Sequence, residues 1–472
     1  MRKVPKSPET GCLRTGKWTK AASRRHPMTT VGSKRSPPRR HSSMTSITLA
    51  IATSLDDLSP VEVTPEQLFG RHCAIVGSSG GGKSWSLARL IEQANLHSGK
   101  IVLFDASGEF DALSNNTFHI HLGDPSREEI RSHAATLPYF ELSENDLLTL
   151  FQPGDAVQWV KLRSAIKTLK LLQLCPALGT SGTFSKAHKH KGAFEDALEL
   201  HRTQLERPDS VFNIHKLPTQ IDLECVLPVR SHSEADHWGG TSVSEQAACI
   251  PLINRIEDLL KIPELHSLFN PPQRPSAFEA IEKFLTDSGV STLRISLEFL
   301  PAAHQIRTIA TDAICRHLLH TARAGRLRAR PVVIAVDEAH QVIPKSAYSS
   351  SSILPPCALE SIAKEGRKYG LTLCLATQRP ADIPEALLSQ VGAFVVHRLV
   401  GPTDLAAVET AAGGMEQHDL GLLPRLGPGE ALLLGVASRE PRRVKMLPPM
   451  RIPKSRGPDY QQAWRKRNVP AE

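Results

Sequence analysis

Residues 72–84 read His-Cys-Ala-Ile-Val-Gly-Ser-Ser-Gly-Gly-Gly-Lys-Ser. The apolar run HCAIVG (72–77) predicts a short buried strand. It leads into Gly77-Ser78-Ser79-Gly80-Gly81-Gly82-Lys83-Ser84, which fits G-x-x-x-x-G-K-[ST]. Glycines let successive backbone N–H groups converge on phosphate oxygens without interference from a Cβ. The next segment, SWSLARLIEQANLH, predicts an amphipathic helix whose positive amino end faces the same anion. In such a cradle Lys83 reaches β- and γ-phosphates and Ser84 ligates Mg²⁺.

Three further apolar runs end in chemistry. IVLFD (101–105) predicts a second strand, and a carboxylate at the carboxyl end of a parallel strand lies beside the ligand crevice. Asp105 and Glu109 therefore either join the metal and water shell or cap the turn around Gly108; their spacing leaves both open. VVIAVDE (332–338) predicts a central strand buried on both faces. Asp337 is placed to hold Mg²⁺ through its water shell, and Glu338 to orient and deprotonate an attacking water. A doubly wound sheet is needed to bring these acids to the cradle. LTLCLAT ends at Thr377-Gln378, where a neutral amide can bond a γ-phosphate or its water. The segment 355–370, PPCALESIAKEGRKYG, predicts a helix closed by basic residues and a glycine. A further helix is expected over 383–390, after Asp382. Arg367, and after it Arg398 on the predicted strand AFVVHRL (393–399), are candidates for a guanidinium acting across a subunit boundary, with surface ion pairing as the alternative. DEAH (337–340) occurs without the S-A-T and Q-x-x-G-R-x-G-R signatures of DEAH-box helicases, and no N-K-x-D motif supports a GTPase.

The 472 residues carry a net charge of +9, but residues 1–44 hold 12 of the 57 Lys+Arg and one of the 48 acidic residues, which leaves the remainder at −2. The basic balance belongs to the tail and does not make the body a nucleic-acid binder. The Pro-, Ser- and Lys/Arg-rich tail is expected to be disordered. It is either a basic arm on nucleic-acid phosphates or an unconstrained extension, with folded sequence from about Ile47. Apolar runs fall short of the ~18 residues that cross a bilayer, so no membrane span is expected. The 8 cysteines form no C-x-x-C pair, which reads as reduced thiols in a cytoplasmic protein.

CAIVGSSGGGKS, IVLFDASGEF, VVIAVDEAH, IAKEGRKYGLTLCLATQRPADIPEALLSQ and LLPRLGPGEALLLG, in this order, resemble the HerA family of HerA/FtsK ATPases. The resemblance covers about residues 60–125 and 290–437. It implies a RecA-like P-loop NTPase core of α/β class, ATP and Mg²⁺ as cofactors, a homo-oligomer that is a hexamer, and double-stranded DNA as the moved partner. It makes Lys83 and Ser84 the nucleotide and Mg²⁺ contacts, Asp337 the metal-side acid, Glu338 the catalytic base, Gln378 the sensor and Arg367 the trans arginine. It also favours a ligand role for Asp105 and Glu109. The family's β-barrel before the P-loop is expected to be absent or reduced here.

The expected layout is a basic tail (1–46), a first core part (47–125), an inserted helical subdomain (126–290), a second core part (291–437) and a C-terminal extension (438–472). In the insert, Ser143 and Asp146 cap a helix. The helix 156–174 carries Lys161, Arg163, Lys167 and Lys170 on a face that either contacts DNA or is simply solvated. Residues 179–193 are expected to be a mobile loop in which His188 and His190 are solvated rather than metal-bound. STLRISLEFL (291–300) and EALLLG (430–435), the expected last strand, return to the core, and the extension either straps a neighbour or hangs loose. Three functions fit: an ATP-driven DNA translocase in DNA processing or phage defence, a conjugation- or secretion-type coupling ATPase, and a nucleotide-gated scaffold for a partner nuclease or effector.

Overall fold

A computed structural model describes residues 46–113, 116–125, 132–207, 210–231, 233–269, 274–301, 305–343, 357–413, 415–436, 440–454, 460 and 464. The basic tail to residue 45 with Cys12, and the Ser-rich loop at 346–352, lie outside them.

The strands are β1 (Leu49–Ser54), β2 (Pro60–Val63), β3 (Cys73–Val76), β4 (Lys100–Asp105), β5 (Thr117–Leu122), β6 (His133–Ala135), β7 (Thr292–Ser296), β8 (Val332–Val336), β9 (Leu371–Thr377), β10 (Ala393–Val396), β11 (Glu430–Leu434) and β12 (Arg442–Met446). They form one sheet in the order β2-β1-β12-β11-β10-β3-β9-β8-β4-β7-β5-β6. From β10 to β6 every pairing is parallel. From β10 back to β2 every pairing is antiparallel. The composition follows the burial. β3, β4 and β10 are covered on both faces along their whole length and carry near-continuous apolar residues. Edge strand β2 alternates exposed and buried positions, as a half-covered strand must.

The sheet holds more strands than the sequence reading, among them β12, β5 and β6. β11 is not the last strand: β12 follows it and pairs with both β11 and β1. Its alternation, RRVKM, is short and carries three cations, so it reads as a polar tail. β5 and β6 extend the sheet beyond β7, and the helices of the insert begin only at Glu144. Two helices also differ. The one expected over 383–390 is Glu385–Leu388, preceded by a 3₁₀ turn at Pro380–Asp382. The segment 302–324, whose apolar spacing reads as the helix leading to Asp337, is helical over Ile306–Arg323.

The insert shares its core with the sheet. Leu162, Ala165, Ile166, Leu169 and Leu172 of the helix Ala156–Leu174 are buried in the same cluster as Phe104 and Ile295. Each such leucine contributes about 1.5–3 kcal/mol on burial. Lys161 and Arg163 of that helix's basic face are committed within the chain: Lys161 pairs with Glu245 at 2.7 Å and donates to the Glu224 carbonyl at 2.9 Å, and Arg163 pairs with Glu144. Residues 179–193 are tied down rather than loose. Lys186 pairs with buried Glu224, Lys189 lies 4.5 Å over Phe184, and His190 forms a backbone bridge with His237.

A buried ion pair fixes β4 against β7. Asp105 is fully buried, and Arg294 of β7 reaches its Oδ2 through Nη2 at 2.6 Å and Nε at 2.7 Å. Removing one partner leaves a buried charge uncompensated, so Arg294→Ala should lower the unfolding free energy in urea by about 3–5 kcal/mol. A loss under about 1 kcal/mol, the size of an exposed pair, would show that the pair is not needed there.

Candidate functional site

The parallel register brings four carboxyl ends to one rim. Val76 lies opposite Thr377, Leu375 opposite Val336, and Val336 opposite Phe104. The chain turns just past each: Gly77 donates to the Thr377 carbonyl at 3.3 Å, and Asp337 donates to the Phe104 carbonyl at 2.9 Å. Residues far apart in sequence thus converge because β9 lies between β3 and β8.

The cradle is residues 77–84, leading into the helix Lys83–Leu96. Gly82 precedes the helix at φ 113°. A Cβ there would lie 3.1 Å from the Gly429 Cα, and one at Gly77 only 2.6 Å from the His397 Cβ. Close approach demands glycine at 77, and the left-handed backbone demands it at 82. Ser78 donates to the Arg398 carbonyl at 2.8 Å, and Gly429 donates to the Gly81 carbonyl at 3.0 Å. Lys83 is 6 % exposed, and its Nζ donates to the Ser78 carbonyl at 3.3 Å. Burial lowers its pKa, and Glu338, Asp337 and Glu109 oppose that shift by their charge.

Those three carboxyls face the lysine. Asp337 is 2 % exposed; burial holds its pKa well above the usual carboxylate range, reinforced by the charges of Asp105, Glu338 and Glu109. Ser107 Oγ donates to Asp337 Oδ2 at 3.2 Å. Burial also raises the Glu109 pKa, against a hydrogen bond from Ser84. Glu338 has left-handed backbone, φ 45°, an uncommon state for a non-glycine residue. Gln378 Nε2 donates to Glu338 Oε1 at 3.1 Å, and Ser79 Oγ donates to Gln378 Oε1. The cradle, the strand-end amide and the acid are one hydrogen-bonded chain. Glu338 Oε2, 3.3 Å from His340 Nδ1, makes no hydrogen bond, and neither does Glu109 Oε2. The unpartnered Glu109 Oε2, on a carboxyl bonded by Ser84 and close to Asp337, fits a hard cation such as Mg²⁺, which takes few ligands from protein.

Gly77, Ser78, Ser79, Gly80, Gly81, Gly82, Lys83, Ser84, Glu109, Asp337, Glu338 and Gln378 are therefore gathered at one rim. Asp105 takes the capping role of the two left open by its spacing. Its Oδ1 accepts from the Gly108 and Glu109 amides at 2.8 and 3.1 Å, and its Oδ2 from the Phe110 amide at 3.0 Å and from Arg294. With both oxygens so engaged it shapes the turn rather than touching a ligand. Arg398 lends its carbonyl to Ser78, while its exposed side chain donates to the Pro424 carbonyl at 3.2 Å. Arg367 is exposed in the turn Gly366–Tyr369, before β9 begins. It lies at the amino end of that strand, on the opposite rim from its own cradle.

His397 was not singled out by the sequence, where it reads as one more residue of an apolar strand. It is fully buried beneath the cradle. Its Nδ1 lies 2.8 Å from the Glu430 carbonyl, and its Nε2 2.8 Å from Ser86 Oγ. A carbonyl can only accept, so Nδ1 carries the hydrogen and Nε2 accepts from the serine. Burial pushes its pKa down to about 4.

A strand–loop–helix cradle beside paired acids on a mainly parallel sheet defines a P-loop nucleoside-triphosphatase fold. The family model described as the central domain of helicase HerA matches residues 50–289, and that of the HerA-like C-terminal region matches residues 323–468. The chain belongs to the HerA helicase family. A probable helicase of Methanocaldococcus jannaschii is 24 % identical over 398 residues, covering 82 % of this chain and 64 % of the relative. The DNA double-strand break repair helicase HerA of Sulfurisphaera tokodaii is 27 % identical over 204 residues, covering 41 % and 37 %. The chain thus spans less than two thirds of the length of these relatives. Plasmid coupling protein TrwB, solved with the ATP analogue ADPNP, superimposes with a TM-score of 0.51 at 17 % identity, covering 84 % of this chain and 89 % of that one, which shows a shared fold.

His397 sets a pH dependence. Between pH 6.5 and about 4 the unfolded chain binds a proton at this position that the folded chain refuses. Stability therefore falls as pH falls through that window, by up to about 1.4 kcal/mol per pH unit from this group. His397→Gln should show a shallower decline of urea stability between pH 6.5 and 4.5 than the unchanged protein; an identical slope would mean that the imidazole titrates normally.

Proposed function

We propose that the protein hydrolyses ATP between subunits of a ring, a hexamer, and uses the energy to move duplex DNA. The observation that carries the hydrolytic part is the chain of hydrogen bonds Ser79–Gln378–Glu338 beside Lys83. It supports a single triphosphate being met by the cradle on one side and by Glu338, acting as the base, on the other.

Backbone amides of residues 78–84 and the Lys83 ammonium hold the β- and γ-phosphates and balance their charge. Ser84 and Asp337 would hold Mg²⁺, with Glu109 beside them, and the ion supplies neutralisation of charge between those phosphates. Glu338 accepts a proton from the attacking water; its unpartnered Oε2 is the free lone pair for this. Gln378, already bonded to that carboxylate, orients the water and senses the γ-phosphate. Arg367 cannot serve its own cradle from the opposite rim, but in a ring the same side chain is offered to the next subunit's phosphate. This supports an oligomer in which each site is completed by a neighbour. The DNA role rests on membership of a family whose relatives include a DNA double-strand break repair helicase.

Glu338→Gln should keep ATP affinity and assembly while turnover falls about 10²–10⁴-fold, the usual worth of a general base. Unchanged turnover would remove Glu338 from that role. Arg367→Ala and Lys83→Ala should each be inactive alone, yet regain part of the activity when mixed, because a mixed interface joins an intact cradle to an intact arginine. No recovery on mixing, with mixed rings verified, contradicts the trans assignment. Duplex DNA should raise the ATPase rate; a rate indifferent to DNA favours a nucleotide-gated scaffold over a translocase.

A further inference from the structure

His397 follows Val396, the last residue of β10, which pairs with Val76 of β3. The backbone at this point is bonded to the start of the cradle on both sides. The His397 amide donates to the Val76 carbonyl and the Ser78 amide to the Arg398 carbonyl, each at 2.8 Å. Three glycines of the cradle close on the side chain. A Cβ at Gly77 would meet the His397 Cβ at 2.6 Å, and one at Gly81 would meet it at 3.4 Å. A Cβ at Gly82 would lie 3.3 Å from the imidazole Cε1. One buried side chain thus underlies the loop at its first glycine and at its last.

Burying an imidazole costs free energy unless its nitrogens are bonded. Both are bonded here, and both partners support the cradle. Nε2 accepts from Ser86 Oγ at 2.8 Å. Ser86 stands in the first turn of the helix Lys83–Leu96, with Lys83 and Ser84, and its amide donates to the Gly82 carbonyl at 2.9 Å. Nδ1 donates to the Glu430 carbonyl at 2.8 Å. The Glu430 carboxylate accepts from the Gly427 amide at 2.8 Å, which closes a turn whose Gly429 amide donates to the Gly81 carbonyl at 3.0 Å. An apolar side chain would fill the same space and make neither tie.

We infer that His397 is a positioning residue for phosphate binding: its imidazole holds the glycine loop and the first helical turn in the shape whose amides converge on an anion. The inference rests on the nucleotide reading above and deepens it. Amides that are already converged bind an anion without a further ordering cost. When the tie between Nε2 and Ser86 is lost, that cost moves into the binding step. The loss falls on the phosphates and is blind to the base. It appears in affinity more than in the chemical step, because Glu338 and Gln378 are held by each other and by Ser79.

The test is equilibrium binding of inorganic tripolyphosphate and of ATP, each with Mg²⁺, to the full chain and to His397→Asn, His397→Gln and Ser86→Ala, with steady-state ATPase rates beside it. Asparagine is too short to reach Ser86, whereas glutamine brings an acceptor to it. His397→Asn and Ser86→Ala should each weaken both probes alike, by about tenfold, the scale of one hydrogen bond. KM should rise by more than kcat falls, and His397→Gln should recover most of the lost affinity. The double variant should bind no more weakly than the weaker single one, because both changes remove the same tie. Urea unfolding shows that each variant is folded; should His397→Asn fail to fold, Ser86→Ala, which removes a single oxygen, carries the same test. Folded variants that bind tripolyphosphate within about twofold of the unchanged protein overturn the inference and leave His397 a core residue only. Additive losses in the double variant, or a glutamine variant as weak as the asparagine one, overturn it as well. An unchanged protein that binds neither probe overturns the nucleotide reading itself, a result distinct from variants that bind as tightly as it does.

Discussion

The site depends on the placement of β9 between β3 and β8. Parallel pairing makes the three strands end at one rim, and it leaves Gln378 one residue past the end of β9. From there a single amide can touch both Ser79 of the cradle and Glu338 of the acid pair. The contact needs no long-range adjustment, because the backbone register supplies it. The same register buries the strands on both faces, and so the sequence at each strand is apolar until the rim and polar at once beyond it.

Charge is the second constraint. Asp337, Glu338 and Glu109 act on one buried ammonium, and burial opposes the charge of Lys83, Asp337 and Glu109 alike. The site is arranged around a ligand whose own charges, phosphate and divalent cation, would satisfy both signs. Asp105 escapes this competition because Arg294 and three amides neutralise it within the fold. Its role is to hold the turn that aims Glu109. Two acids four residues apart therefore have different tasks, decided by what neutralises them.

Much of this was legible in the sequence because it is local. The cradle announces itself by its glycines, and Asp337, Glu338 and Gln378 by standing at the ends of apolar runs. What escaped is what depends on partners distant in the chain. His397 reads as a strand residue, and only the tertiary fold puts Ser86, Glu430 and the cradle glycines around it. β12 carries too many cations and too short an alternation to announce a strand; its pairing with β1 and β11 makes it one. The loop at 179–193 looks mobile by composition, yet buried Glu224 draws Lys186 inward and holds it. The choice between capping and ligand roles for Asp105 required Arg294, which no spacing points to.

The most direct measurement is a crystal structure grown with a non-hydrolysable ATP analogue and Mg²⁺. The triphosphate should lie along residues 77–84 with its γ-phosphate between Lys83 and Gln378, and the ion at about 2.1 Å from Ser84 Oγ. Asp337 should lie in the ion's outer shell and Glu338 should face the water behind the γ-phosphate. A triphosphate bound away from the glycine loop, or an ion remote from Asp337, would contradict the single-site reading on which the assigned chemistry stands.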